Sequence, residues 1–128
     1  MLKDKKILLV EDSSSFRLLI KTMLKNTGSK IVEAGSEFGM YKAIDEYGEV
    51  VNLIIMDLTL KSENGLDLIR NLKSQERYKD IPVIIVTQHI SKDYIIEAKR
   101  LGVKHYIRKP FNKTILLDRI TEVFSENV

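Results

Sequence analysis

Three carboxylates, a hydroxyl and an ammonium stand where short apolar runs stop. Ile7-Leu8-Leu9-Val10 ends at Glu11 and Asp12, Leu53-Ile54-Ile55-Met56 ends at Asp57, and Val83-Ile84-Ile85-Val86 ends at Thr87. Farther on, Tyr106-Ile107-Arg108 leads into Lys109-Pro110-Phe111. Gathered within a few ångströms, the three acids would repel one another and raise their proton affinity. A divalent cation and the Lys109 ammonium relieve that repulsion. Carboxylate oxygens are hard donors, so the ion they suit is Mg²⁺ or Mn²⁺.

The elements that must position these groups are strands covered on both faces. Runs apolar at every position read as central strands of a parallel sheet, and such sheets bind ligands outside the carboxyl ends of their strands. Helical periodicity fills the intervals. Phe16, Leu19, Ile20, Met23 and Leu24 share one face of a first helix that closes at Asn26-Thr27-Gly28. A short strand follows over residues 30–34, then a helix over 36–47 in which a mid-helix Gly39 would cost about 1 kcal/mol. Beyond Asp57 a polar loop runs to Asn64-Gly65, and Leu68, Ile69 and Leu72 mark a third helix. Pro82 opens a fourth strand, and Ser91 caps a helix carrying Ile95, Ala98 and Leu101 that ends at Gly102. A fifth strand over 104–107 precedes a last helix presenting Leu116, Ile120, Val123 and Phe124. The alternation predicts a doubly wound α/β fold: five parallel strands in flavodoxin-like order 2-1-3-4-5, with five helices.

Composition narrows the function classes. A chain of 128 residues suits one domain spanning 1–128. No cysteine is present, which excludes disulfides and thiolate metal sites. The N-terminal apolar run is too short for a signal peptide core or a membrane span, so a cytoplasmic location and no membrane partner are expected. A net charge of +3 makes a weak case for nucleic acid, which is not expected as a partner of this domain alone.

The chain resembles, over essentially its whole length, the receiver domain (CheY-like) of two-component response regulators. The resemblance rests on Glu11 and Asp12 after strand one, Asp57 after strand three, Thr87 after strand four, and Lys109-Pro110-Phe111 with Tyr106 at strand five. No single element is specific; five in order at the right strand ends are. It implies that Asp57 is a nucleophile accepting a phosphoryl group from a histidine kinase or phosphotransfer protein. Glu11, Asp12, Asp57 and the backbone carbonyl of Thr59 would hold Mg²⁺ or Mn²⁺, while Lys109 and Thr87 contact the phosphoryl group. Thr87 and Tyr106 would form a switch that repacks the face of helix four, strand five and helix five for a downstream protein effector. The Lys109-Pro110 bond is expected to be cis. Such a module modifies only itself and is not a metabolic enzyme.

Some residues depart from the family's pattern. Glu11 replaces a shorter aspartate, Lys61 stands where proline is common, and Gln88 follows Thr87 where a small residue would leave a path for the phosphodonor. Thr59 and His89 lie where side chains influence hydrolysis of the acyl phosphate. A plainer reading makes Asp12 a helix N-cap and Lys109 a salt-bridge partner of Asp57. His89 and His105 lack metal-ligand spacing and read as surface or packing residues. The alternative function is a degenerate receiver that binds partners without phosphate. A haloacid dehalogenase-type phosphatase is set aside, because Thr59 stands where those enzymes carry a second acid.

Overall fold

Alternating apolar runs and amphipathic segments fold as their order predicts. The computed structural model describes residues 2–57, 59–60, 63–88 and 91–126. Its main sheet comprises β1 (Lys6–Val10), β2 (Lys30–Ala34), β3 (Leu53–Met56), β4 (Val83–Thr87) and β5 (His105–Arg108), all parallel and in order β2-β1-β3-β4-β5. The helices are α1 (Ser14–Met23), α2 (Glu37–Tyr47), α3 (Gly65–Lys73), α4 (Lys92–Arg100) and α5 (Lys113–Glu126). The segment read as a polar loop holds a small antiparallel ladder, Thr59–Leu60 against Glu63–Asn64. Two-residue strands are too short to carry an alternating pattern, so the sequence gives no sign of this pairing.

Strand alternation sorts the core onto two faces of the sheet. Ile7, Leu9, Leu53 and Ile55 pack with Ile20 of α1 and Leu116, Ile120 and Val123 of α5. Leu8, Val10, Ile54 and Met56 pack instead with Met40 of α2, Ile69 and Leu72 of α3 and Ala98 of α4. Both faces of the central strands are thereby dry, which their unbroken apolar runs require. Pro82 stands just before β4, where its missing N–H does no harm and its carbonyl accepts from Ile54 N at 3.0 Å.

Serines start three of the helices. Ser13, Ser36 and Ser91 each accept a hydrogen bond from the backbone N–H three residues on, at Phe16, Gly39 and Tyr94. Gly39 thus sits in the first turn of α2, not mid-helix, where its flexibility costs less. After α1, Asn26 (φ 68°) and Gly28 (φ 90°) turn the chain left-handed, and a Cβ on Gly28 would stand 2.9 Å from Lys3 Cα. Leu19 departs from expectation: at 44% exposure it lies outside the buried stripe of α1. Among the described residues no helix is long and apolar enough to cross a membrane.

Candidate functional site

The sheet register assembles the site before any side chain is considered. Val10 pairs with Met56, so Glu11 and Asp57 leave adjacent strands side by side. Glu11 N donates to Ala34 O and Asp57 N to Val10 O, both at 3.0 Å. Thr87 pairs with Arg108, and Lys109 N donates to Thr87 O at 2.9 Å. Glu11, Asp57 and Lys109 keep the parity of Leu9, Ile55 and Ile107, which belong to the face covered by α1 and α5. Thr87 and Tyr106 keep the parity of Ile85, on the opposite face.

The acids and the lysine meet. Glu11, Asp12 and Asp57 each offer a carboxylate oxygen, all within 4.8 Å of one another. Lys109 Nζ donates to Glu11 Oε1 at 2.6 Å and to Asp57 Oδ2 at 3.1 Å. Glu11 (2% exposed) and Asp57 (5%) are buried, and these groups open onto a cavity of about 530 Å³ that Gln88, Phe16 and Pro110 also line. Burial raises the Glu11 carboxyl above its ordinary 4.5 and the Asp57 charge adds to this, against the lowering effect of Lys109. Burial works against the Lys109 ammonium, yet its bonds to Glu11 and Asp57 outweigh that and hold its pKa above 10.5.

Asp12 is not the cap of α1, since Ser13 takes that role. Its carboxylate faces the cluster instead. Three hard oxygens this close would suit a small divalent cation, which prefers oxygen ligands. Thr87 is buried at the end of β4, and Tyr106 is half-buried against the core beneath it. The Lys109-Pro110 bond is cis. Thr59 heads the first strand of the small ladder, while Lys61 and His89 lie outside the described residues. His105 is a packing residue, buried with Nε2 3.0 Å from Glu126 Oε2.

Sequence reasoning missed two neighbours of the cluster. Arg17 donates Nη1 to the Glu11 carbonyl and Nε to Glu33 Oε1 at 3.3 Å, and Lys21 joins Glu33 at 3.0 Å, tying α1 to β2 beneath the acidic pair. The helical spacing of Arg17 and Lys21 was the available signal, but their partner on β2 is not local. Hydrogen bonding from Lys21, and then from Arg17, holds the Glu33 carboxyl below 4.5. A depressed folded pKa stabilises above the unfolded value and the effect fades as pH falls through the folded one. Glu33→Gln should therefore cost up to about 1 kcal/mol at pH 7 in urea titrations, and nothing once the medium is acidic enough to protonate Glu33.

Phe16, read from its spacing as a core residue, is half-buried beside Lys109. Its ring centroid lies 3.9 Å from Nζ.

A family model described as response regulator receiver domain matches residues 7–121. The chain is 33% identical over 123 residues to chemotaxis protein CheY1 of Helicobacter pylori, covering 95% of this chain and 98% of that one. It is 33% identical over 119 residues to chemotaxis protein CheY of Pseudomonas aeruginosa, covering 93% and 95%. A solved response regulator receiver domain protein from Clostridium thermocellum superposes with a TM-score of 0.86 at 27% identity, covering 96% of each chain.

Proposed function

The chain belongs to the response regulator receiver domain family, and from that premise we propose that Asp57 accepts a phosphoryl group from a histidine kinase or phosphotransfer protein. Domains of this family are signalling modules, not classical enzymes. The observation that carries the reading is the meeting of Asp57, Glu11, Asp12 and Lys109 in one open cavity from three separate strand ends. An Asp57 carboxylate oxygen attacks phosphorus as the donor's P–N bond breaks, its electron pair returning to the imidazole. Lys109 stays protonated throughout and offers its charge to the phosphoryl oxygens. Glu11, Asp12 and Asp57, with the Thr59 carbonyl as a further ligand, would hold Mg²⁺ or Mn²⁺, which when bound neutralises charge on the transferring group.

The Thr87 hydroxyl donates to a phosphoryl oxygen and, as the family resemblance implies, Tyr106 on the same face of the sheet turns into the space that Thr87 leaves. The repacked surface is that of α4, β5 and α5, where Tyr94, Ile96 and Ile115 are exposed beside Lys92, Lys99 and Arg108. Its cations suit an acidic protein effector. Charge reversal at Lys99 and Lys104 should weaken effector binding; unchanged binding counts against this surface.

Incubation with acetyl phosphate should add one phosphoryl mass when Mg²⁺ is present and none with excess chelator. Unchanged mass in both would favour a phosphate-independent interaction module. Gln88 is exposed at the cavity mouth, so Gln88→Ala should raise the uptake rate from this small donor severalfold, read by mass against time. A slower variant would mean that the amide assists transfer.

A further inference from the structure

An aromatic pair beside the site has no part in the chemistry above. The Lys109 ammonium lies 3.9 Å from the Phe16 ring centroid while bonding both Glu11 and Asp57. Phe16 meets Phe111 edge-on, with centroids 5.7 Å apart and rings at 81°. That geometry places the positive edge of one ring against the negative face of the other, the favoured arrangement for such a pair. Both rings are partly buried and pack against the core on the face covered by α1 and α5.

A lysine carries a compact charge on a flexible stem, so a fixed ammonium position needs fixed partners. The carboxylates are poor candidates. Glu11 and Asp57 would turn oxygens toward a metal ion, and Asp57 would change chemically on accepting a phosphoryl group. The negative face of an aromatic ring is a partner that neither event alters. On the reading of Asp57 as phosphoacceptor, we infer that Phe16, braced by Phe111, is a positioning residue whose ring face seats the Lys109 ammonium while the carboxylates exchange partners. The requirement is for aromatic charge distribution and not for bulk. A leucine or methionine at position 16 would fill space without holding the cation.

The test replaces Phe16 by leucine and, in separate preparations, by mono-, di- and trifluorophenylalanine, which keep the ring's shape while draining its face of charge. Proton NMR of the Lys109 ε-methylene is read without phosphodonor, and uptake from acetyl phosphate is timed at fixed Mg²⁺. In the wild type the ε-methylene should be shifted upfield by the ring, and Phe16→Leu should abolish that shift. Uptake should slow roughly 3- to 10-fold in Phe16→Leu, and its logarithm should fall in steps along the fluorine series. An unshifted ε-methylene in the wild type overturns the seat. So does a flat fluorine series, whether or not Phe16→Leu is slow, since volume alone would then explain the residue. If no protein, wild type included, gains a phosphoryl group, the phosphoacceptor reading fails and the methylene shift still decides the seat.

Discussion

Asp57→Asn should take up no phosphoryl group from acetyl phosphate and Mg²⁺, yet should melt higher than the wild type in chelator. The amide preserves shape and loses the anionic nucleophile, so the mass gain disappears. The stability gain follows from the crowding of acids. Asp57 and Glu11 are both buried, Asp12 is close by, and the Lys109 ammonium is shared between Glu11 and Asp57. Glu11's carboxyl is raised above 4.5 first by burial and then by the Asp57 charge. A carboxyl raised on folding binds more protons in the native state, so stability falls as pH rises above 4.5 toward the folded value. Removing the Asp57 charge lifts part of that loss at neutral pH, so the melting temperature should rise by a few degrees. The gain should shrink as pH falls from Glu11's raised folded value toward 4.5, as that carboxyl takes up its proton. Mg²⁺ should stabilise the variant less than the wild type, because a ligand has been removed. Mass gain in Asp57→Asn would move the acceptor to another residue. A lower melting temperature would make Asp57 chiefly a structural partner of Lys109.

Those charges were legible because period-two strands and a known sheet order suffice to bring Glu11, Asp57, Thr87 and Lys109 to one rim. The runs ending at these residues needed no knowledge of side-chain packing. The same alternation assigns Thr87 and Tyr106 to one face and Glu11, Asp57 and Lys109 to the other. What was hidden depended on contacts across elements. Leu19 falls within the helical pattern of α1, but the stripe that the sheet covers is narrower and leaves it at the surface. The Arg17–Glu33–Lys21 network joins a helix to a strand more than ten residues away, which helical spacing cannot reveal. Phe16 has the apolar character of a core residue and satisfies that pattern; only the position of Lys109 Nζ gives its ring a second task. Capping, by contrast, was ambiguous between Asp12 and the serines after it, and the structure assigns it to Ser13.

Lys109→Met should destabilise the protein and nearly silence it. Methionine keeps the unbranched stem beside Phe16, so packing changes little and charge is the variable. The ammonium is largely enclosed, with its side chain 12% exposed, and it bonds carboxylates that are themselves buried. Removing one member of such a group leaves the others uncompensated, at a cost of about 2–4 kcal/mol at neutral pH. The sign with pH is set by Lys109's raised pKa: its contribution is complete below 10.5 and is lost as pH climbs through the folded value. On the acid side the variant should recover part of its deficit, because Glu11, without its hydrogen bond from Lys109, takes up a proton more readily. Mg²⁺ should raise the melting temperature of Lys109→Met more than that of the wild type, the ion taking over the missing compensation. Phosphoryl uptake should fall about 10²- to 10³-fold, the usual effect of deleting one preorganised charge partner of a reacting oxygen. Lys109→Arg should not restore it, since a planar fork cannot occupy the place of a point charge between Glu11, Asp57 and the Phe16 ring. Unchanged urea midpoints together with unchanged uptake would show that the 2.6 and 3.1 Å contacts of Lys109 have no bearing on stability or transfer.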